Sequence, residues 1–176
     1  MSAYRPLSAA RVMVGVSGSL DGAAVLSRAA AEAGRRGAEL WPVLAWEPPE
    51  GDPAARRFPS ATALVPVWER LARERLVGAL HGVFGGVDTG LPGQALVVRG
   101  APGPALVGTA DREDDVLVVG AGRRGRLHRA LWPSVGRYCL AHAMCPVLAV
   151  PPPLRAELAA VRRRSVWGLG RVWPRV

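Results

Sequence analysis

Lysine, isoleucine and asparagine are absent from this chain, so all 23 basic side chains are arginines. Such a complete absence is typical of codon bias in a GC-rich genome and does not indicate a particular chemistry. The 14 acidic residues leave a net charge of +9, which would ordinarily favour nucleic acid or an anionic membrane as a partner. Residues 151–176 carry +5 of that charge, so the basic excess belongs largely to the C-terminal segment.

Long apolar runs and metal-binding cysteine patterns are also lacking. No stretch of about 18 uninterrupted apolar residues occurs, and the N-terminus has no signal-peptide pattern. We therefore expect a cytoplasmic protein. Cys139 and Cys145 are the only cysteines, and their spacing excludes a C-x-x-C zinc knuckle or thioredoxin-type motif. They are expected to be structural thiols.

Residues for catalysis are equally sparse. His81, His128 and His142 have no spacing that would form a metal site or a nucleophile and base pair. The G-x-S-x-G pattern of a nucleophile elbow occurs only in broken form around Ser17. We therefore expect a binding protein and not a conventional enzyme.

Hydrophobic residues make up 49% of the 176 positions, enough for one buried core. Short apolar runs alternate with helical patterns, which predicts β-α-β units around an open, five-stranded parallel sheet. Prolines at 151–153 mark the end of the domain. We expect a domain over residues 1–151 and a basic extension containing Arg and Trp over residues 152–176.

The strands are predicted over residues 11–16, 38–46, 94–99, 115–119 and 146–150, and the helices over 20–36, 67–84, 103–111 and 134–142. Pro42 lacks a ladder donor, so regular pairing of the second strand is expected to begin at Val43. Five prolines within residues 47–66 predict a loop there. The next helix is expected to bury apolar positions that include Trp68 and Leu71.

The fourth predicted strand leads into the loop GAGRRGRLHRALWPS. Ligands of open parallel sheets bind beyond the carboxyl ends of the strands, where the direction of connection reverses. Glycines in this loop can bring the backbone close to a ligand, and a helix begins near Ser134. No acidic residue occurs from Val116 to Val150. The loop therefore predicts an anion site, with a solvated arginine-rich turn as the alternative.

Three segments carry a family resemblance: RVMVGVSGS, RGAELWPVLAWEPP and DVLVVGAGRRGRLHRALWPSVGRYCLAHAMCPVLAVP. Together they resemble the universal stress protein family over residues 11–151, and the closing SV-RY-L-HA-CPVL-V is the most specific part. The resemblance implies a Rossmann-like sandwich of the adenine-nucleotide hydrolase-like type with strand order 3-2-1-4-5. It also implies a role in stress response and a homodimer paired through the last strand.

Members of this family that bind ATP typically carry G-x-x-G, nine residues, then G-[S/T], with an Asp just after the first strand. When Ser134 is aligned with the end of that motif, the first glycine falls on Gly120. Arg123 and Pro133 then occupy the other two glycine positions, and Ser17 replaces the Asp. Arg123 cannot freely adopt positive φ, and Pro133 has no N–H to offer a phosphate. We therefore predict weak or no ATP binding.

Two alternatives remain open at this stage: an ATP- or AMP-binding switch of the same fold, and an enzyme of the wider adenine-nucleotide hydrolase-like group. Should a nucleotide bind, Arg123 and Arg124 would replace lost backbone contacts by charge. The residues expected near the phosphates are Gly120, Gly122, Gly125, Ser134 and Val135, and those near the nucleoside are Gly15, Ser17 and Ala45.

The C-terminal segment combines arginines at 162–164 with Trp167 and Trp173. Basic and aromatic residues together are compatible with a membrane surface, RNA or an acidic partner. The favoured interpretation is an ordered extension that packs its tryptophans on the domain or on a dimer mate, with a frayed end as a further alternative.

Overall fold

The computed structural model describes residues 10–17, 20–49, 59–121 and 134–152. Parallel pairing in the order β3-β2-β1-β4-β5 confirms the predicted fold class and strand order. The elements in chain order are β1 Arg11–Gly15, α1 Leu20–Arg36, β2 Glu39–Trp46, α2 Pro59–Phe84, β3 Leu96–Arg99, α3 Pro102–Thr109, β4 Val116–Gly120, α4 Val135–His142 and β5 Val147–Val150.

The sheet is covered on both faces, which is why its strands are nearly continuous apolar runs. On one face, α1 and α2 pack against alternate strand residues such as Val14 and Val118. On the other face, α3 and α4 pack against the residues between them, such as Met13 and Leu117. Both core layers therefore include residues of the central strand β1 and of its neighbour β4.

A buried ion pair joins β1 to the turn before β4. The guanidinium of Arg11 donates from Nε and Nη2 to the two carboxylate oxygens of Asp115, at 2.7 and 2.6 Å. Nη2 also donates to Asp111 at 2.6 Å, and the backbone N–H of Arg112 donates to Asp115 at 3.1 Å. The Arg11 Cζ lies 5.0 Å from the centre of the Trp41 ring. The network satisfies a charge pair that would otherwise be costly to bury.

The ion pair also shifts ionisation in the expected directions. The hydrogen bonds that Arg11 donates to Asp115 raise the pKa of Arg11 despite burial of the guanidinium. The hydrogen bond from Arg11 lowers the pKa of the largely exposed Asp111 carboxyl. Arg11 thus remains cationic, and Asp111 stays ionised to lower pH than an isolated carboxyl.

Pro42 does not interrupt β2, so the expectation that regular pairing begins at Val43 is wrong. Backbone N–H groups alternate between the two neighbours of a strand. The N–H of Leu40 donates to Pro92 on the β3 side, at 2.8 Å, so the missing N–H of Pro42 faces the same side. Since β3 first pairs with β2 at Val43, proline removes no bond between β2 and the central β1.

The second helix begins at Pro59, well before the predicted start at Val67. Proline costs a backbone hydrogen bond inside a helix, and the exposed Pro66 lies inside this one. Its neighbours Val65 and Trp68 pack against the core, and that burial outweighs the local cost. The proline-rich segment therefore ends as helix and not as loop.

The buried face of α2 consists of Ala72, Leu76 and Leu80, with Trp68 packed beside them. Leu71 was expected on this face but is 41% exposed. The helical repeat explains the difference, because Ala72 takes the inward position and its neighbour lies about 100° around the helix. A small residue thus faces the sheet while a large apolar one faces outward.

Both cysteines are free and buried. Burial raises the pKa of the Cys139 and Cys145 thiols, so both are largely unreactive at neutral pH. Cys139 on α4 and Cys145 in the turn after it belong to the same core layer, as expected for structural thiols. Within the described ranges, no helix has the length and hydropathy needed to cross a membrane.

Close packing fixes α4 on the end of β4. A Cβ added at Gly136 would lie 3.0 Å from the carbonyl oxygen of Gly120, a backbone atom that cannot easily move away. Gly136 is buried in the first turn of the helix. Glycine is needed here for close approach, although it is a poor helix former.

Gly136→Ala should therefore destabilise the protein, by about 1–2 kcal/mol, because the new methyl group would push α4 away from β4. Gly78→Ala is the matched control, since a Cβ at Gly78 in α2 meets nothing within 4 Å. The control should be neutral or stabilising by up to about 1 kcal/mol, through helix propensity alone. Urea denaturation measures both, and equal responses would contradict the packing argument.

Asp115→Ala should lower the free energy of unfolding by about 3 kcal/mol, because it leaves the Arg11 guanidinium buried without its main partner. Asp114→Ala removes the neighbouring carboxylate, which is exposed, and should change stability by less than about 0.5 kcal/mol. Chemical denaturation of the two variants gives the comparison. A small effect at position 115 would show that the ion pair is dispensable.

Candidate functional site

The carboxyl ends of β1 and β4 form the switch point of the sheet. These strands are neighbours, but the chain leaves β1 toward β2 and leaves β4 toward β5, in opposite directions. Such a point is where open α/β sheets bind ligands. Gly15 ends β1 and Gly120 ends β4, so the fold brings the two predicted glycines to the same edge.

Gly15 is explained by packing. A Cβ at this position would lie 2.8 Å from Cδ1 of Leu106, so the glycine makes room for α3 on that face of the sheet. Beyond it, the N–H of Val16 donates to Val43 at 2.8 Å and continues the pairing with β2. The predicted nucleoside contact at Gly15 therefore lies under a side chain that already fills the adjacent space.

Ser17 and Ala45 are the other predicted nucleoside contacts. Since Gly15 pairs with Val43, the register brings Ser17 close to Ala45 at the edge of the sheet. Ser17 is exposed and Ala45 is half-buried. A Cβ at Gly22 would lie 2.3 Å from the carbonyl oxygen of Ser17, so the first turn of α1 packs directly on this backbone.

At the end of β4, one backbone donor and one side-chain acceptor already have partners within the protein. The N–H of Ala121 donates to Val150 at 2.7 Å, which extends the sheet past Gly120. Ser134 is the N-cap of α4, and its hydroxyl accepts from the N–H of Arg137 at 3.2 Å. The helix start expected near Ser134 is therefore confirmed, with a capping hydroxyl as its physical cause.

Val135 is half-buried and packs against the core layer beneath α4, so its side chain serves the fold. The remaining predicted contacts, Gly122, Arg123, Arg124 and Gly125, lie outside the described residues. Their roles stay predictions from the sequence.

Sequence reasoning missed the residues that shape this edge by close contact. Gly22, Gly136 and Leu106 bring α1, α4 and α3 onto the ends of the strands. A glycine in the first turn of a helix was the available signal for Gly22 and Gly136. Leu106 has no such signal, because its partner is distant in the sequence.

The electrostatics of the edge favour an anion. The helices that connect parallel strands begin at the carboxyl ends of those strands, so their positive dipole ends face this region. Arg99 ends β3 here, with its Cζ 5.7 Å from the centre of the Trp46 ring. Among the described residues, no group of three or more potential ligands for a metal ion occurs. The edge can therefore attract a phosphate by charge, although several of its polar groups have protein partners.

Solved structures of universal stress proteins resemble this fold. One in complex with cAMP is 26% identical, with a TM-score of 0.53, and the match covers 83% of this chain and 99% of that one. One from Lactobacillus plantarum is 21% identical, with a TM-score of 0.60 and coverages of 80% and 97%. One from Burkholderia pseudomallei is 22% identical, with a TM-score of 0.52 and coverages of 82% and 96%.

No curated protein matches the sequence significantly. The family model, in contrast, covers most of the chain, and it agrees with the resemblance carried by the closing segment of the domain. The match to the universal stress protein family extends over residues 9–151, and the chain therefore belongs to that family.

Proposed function

We propose that the protein is a binding and regulatory protein of the stress response. We also propose that its switch point, at the carboxyl ends of β1 and β4, binds ATP or AMP weakly or not at all. The observation that carries the proposal is that the Ala121 N–H, at the end of β4, already has a hydrogen-bond partner within the protein. The Ala121 N–H bonds to β5, and the Ser134 hydroxyl caps α4. A phosphate accepts hydrogen bonds, so it would have to compete with Val150 for the Ala121 N–H, whereas Ser134 accepts its capping bond and keeps its O–H as a donor.

The sequence of the loop supports the same conclusion. Of the three glycines typical of ATP-binding members, Gly120 is retained, while Arg123 and Pro133 replace the others. Glycine allows positive φ and a close approach of backbone to phosphate, and neither replacement provides both. Arginine supplies a positive charge that attracts an anion, but it does not replace the hydrogen bonds that backbone N–H groups donate to a phosphate.

A second candidate function is a nucleotide-binding switch, and one comparison favours it. The relative of known structure that is 26% identical was crystallised with cAMP. An electropositive edge, with the positive ends of helices facing it, is compatible with such a ligand. The two candidates differ in affinity, so a titration separates them.

The proposal includes no catalytic step. His81 and His142 lie exposed on helices, and the His142 ring bonds to the carbonyl of Tyr138 at 2.9 Å and stacks on its ring. This contact gives His142 a structural role at the end of α4. A cytoplasmic location, expected from the sequence, completes the proposal and is checked by cell fractionation.

We further propose a homodimer formed through β5. This strand is an edge of the sheet, and an edge presents backbone groups to a second strand. Two exposed apolar residues precede it on α4 and in the following turn: Leu140 is 58% exposed and Met144 78% exposed. Pairing of two β5 edges would bury apolar surface beside a shared ladder of hydrogen bonds.

Calorimetric titration of the protein with ATP, ADP, AMP and cAMP should give no heat below about millimolar ligand, which corresponds to less than about 4 kcal/mol of binding. Arg123→Gly combined with Pro133→Gly restores the spacing of the family motif. This variant should bind ATP at least about tenfold more tightly, because it regains backbone freedom and one N–H.

Arg124→Gly combined with Pro133→Gly is the matched control, because it removes the same charge and restores only one glycine. It should gain less affinity than the first variant, because it regains the N–H at position 133 but keeps Arg123 at the second glycine position. Micromolar binding by the unaltered protein would overturn the proposal in favour of the switch. Steady release of phosphate from ATP by the unaltered protein would support the enzyme alternative.

Met144→Glu combined with Leu140→Glu should convert the dimer to a monomer, because charges would be buried at the apolar margin of β5. Light scattering after size exclusion measures the mass. Val87→Glu is the control, since Val87 is an exposed apolar residue between α2 and β3 and should leave the dimer intact. A monomeric unaltered protein, or a dimer that survives both charges, would refute this interface.

A further inference from the structure

An apolar stripe lies on the outside of α2 and has no role in the proposed site. Its three residues are exposed: Leu64 by 48%, Val67 by 37% and Leu71 by 41%. They are spaced three and four residues apart, so they lie on one side of the helix. We call these three residues the α2 stripe. The stripe lies beside the buried face that contains Ala72, not on it.

The stripe lies near the carboxyl end of the sheet, which is also where β5 and the described part of the chain end. The helix α2 follows β2, so its first half, which contains the stripe, lies toward the carboxyl ends of the strands. The last strand, β5, is parallel to β4 and ends at Val150, at the same carboxyl end of the sheet. The C-terminal segment, residues 153–176, therefore starts at the same end of the molecule as the stripe.

The segment is long enough to reach the stripe. Five strands at a spacing of about 4.8 Å separate β5 from β3 by about 19 Å. An extended chain covers about 3.3 Å per residue, so roughly six residues cross the sheet and leave most of the segment for contact. Since the segment is tethered nearby, its effective concentration at the stripe reaches the millimolar range, which favours it over a second molecule.

The composition of the segment matches an apolar stripe. Beyond the residues needed to cross the sheet, Val161 is the first apolar residue larger than alanine. Trp167 and Trp173 follow, and tryptophan contributes a large apolar area on burial. The arginines between these positions can keep their charged ends in water while their stems cover apolar surface.

We propose that the α2 stripe is the docking surface for residues 153–176 of the same chain. Docking covers the three exposed side chains and gives the basic extension a fixed place on the domain. The proposal makes the extension part of the folded domain. It is independent of whether the switch point binds a nucleotide.

Photo-crosslinking of the full-length protein tests this docking. Leu71→Cys provides a single exposed thiol for a benzophenone maleimide, because Cys139 and Cys145 are buried and react poorly in the folded protein. Illumination should join position 71 to a peptide within residues 153–176 of the same polypeptide, identified by mass spectrometry at the mass of one chain. Adding Leu64→Gln and Val67→Gln should lower the yield several-fold, because the apolar contact is lost.

Val87→Cys, labelled in the same way, is the matched control, because Val87 is exposed but lies outside the stripe. It should give no adduct with residues 153–176. An adduct between two chains would identify a second copy as the occupant and overturn the proposal. Adducts confined to residues before 153, or a yield unchanged by the two glutamines, would overturn it as well.

Discussion

The bidentate pair between Arg11 and Asp115 ties the first strand of the domain to the entrance of the fourth, and the rest of the fold is arranged around this junction. It lies at the amino end of the sheet, where a fully buried carboxylate meets a guanidinium held by two further groups. Because β1 and β4 are paired neighbours, their relative register determines how their carboxyl ends are aligned. The charge pair at the amino end of the sheet thus helps to align the strand ends that form the switch point at the carboxyl end.

The sequence predicted the features that rest on local patterns. Strand four and the helix start near Ser134 were predicted correctly from the local sequence, and the sheet order was predicted correctly from the family resemblance. The start of α2 and the exposure of Leu71 were not, because both depend on which side of a helix meets the sheet. The effect of Pro42 on strand pairing was not predicted either, because it depends on where the neighbouring strand β3 begins to pair with β2.

The candidate site was predictable in position but not in detail. Gly15 and Gly120 meet at the expected edge, yet Gly15 accommodates Leu106, and the groups beyond Gly120 bond within the protein. Such contacts join residues distant in the sequence and leave no local pattern. What distinguishes this end of the sheet is thus that the Ala121 N–H already bonds to Val150, in addition to the loss of two motif glycines. A fold that suits nucleotides can in this way serve as a binding scaffold with little nucleotide affinity.

The most direct test of this account is an NMR titration of the unaltered ¹⁵N-labelled protein with ATP, followed at the amides of Gly120, Ala121 and Val135. The account predicts that the Ala121 amide, bonded to Val150 in the sheet, keeps its chemical shift up to millimolar ATP. Saturable shifts of these three amides at micromolar ATP would contradict it, because they would show a phosphate seated at the end of β4.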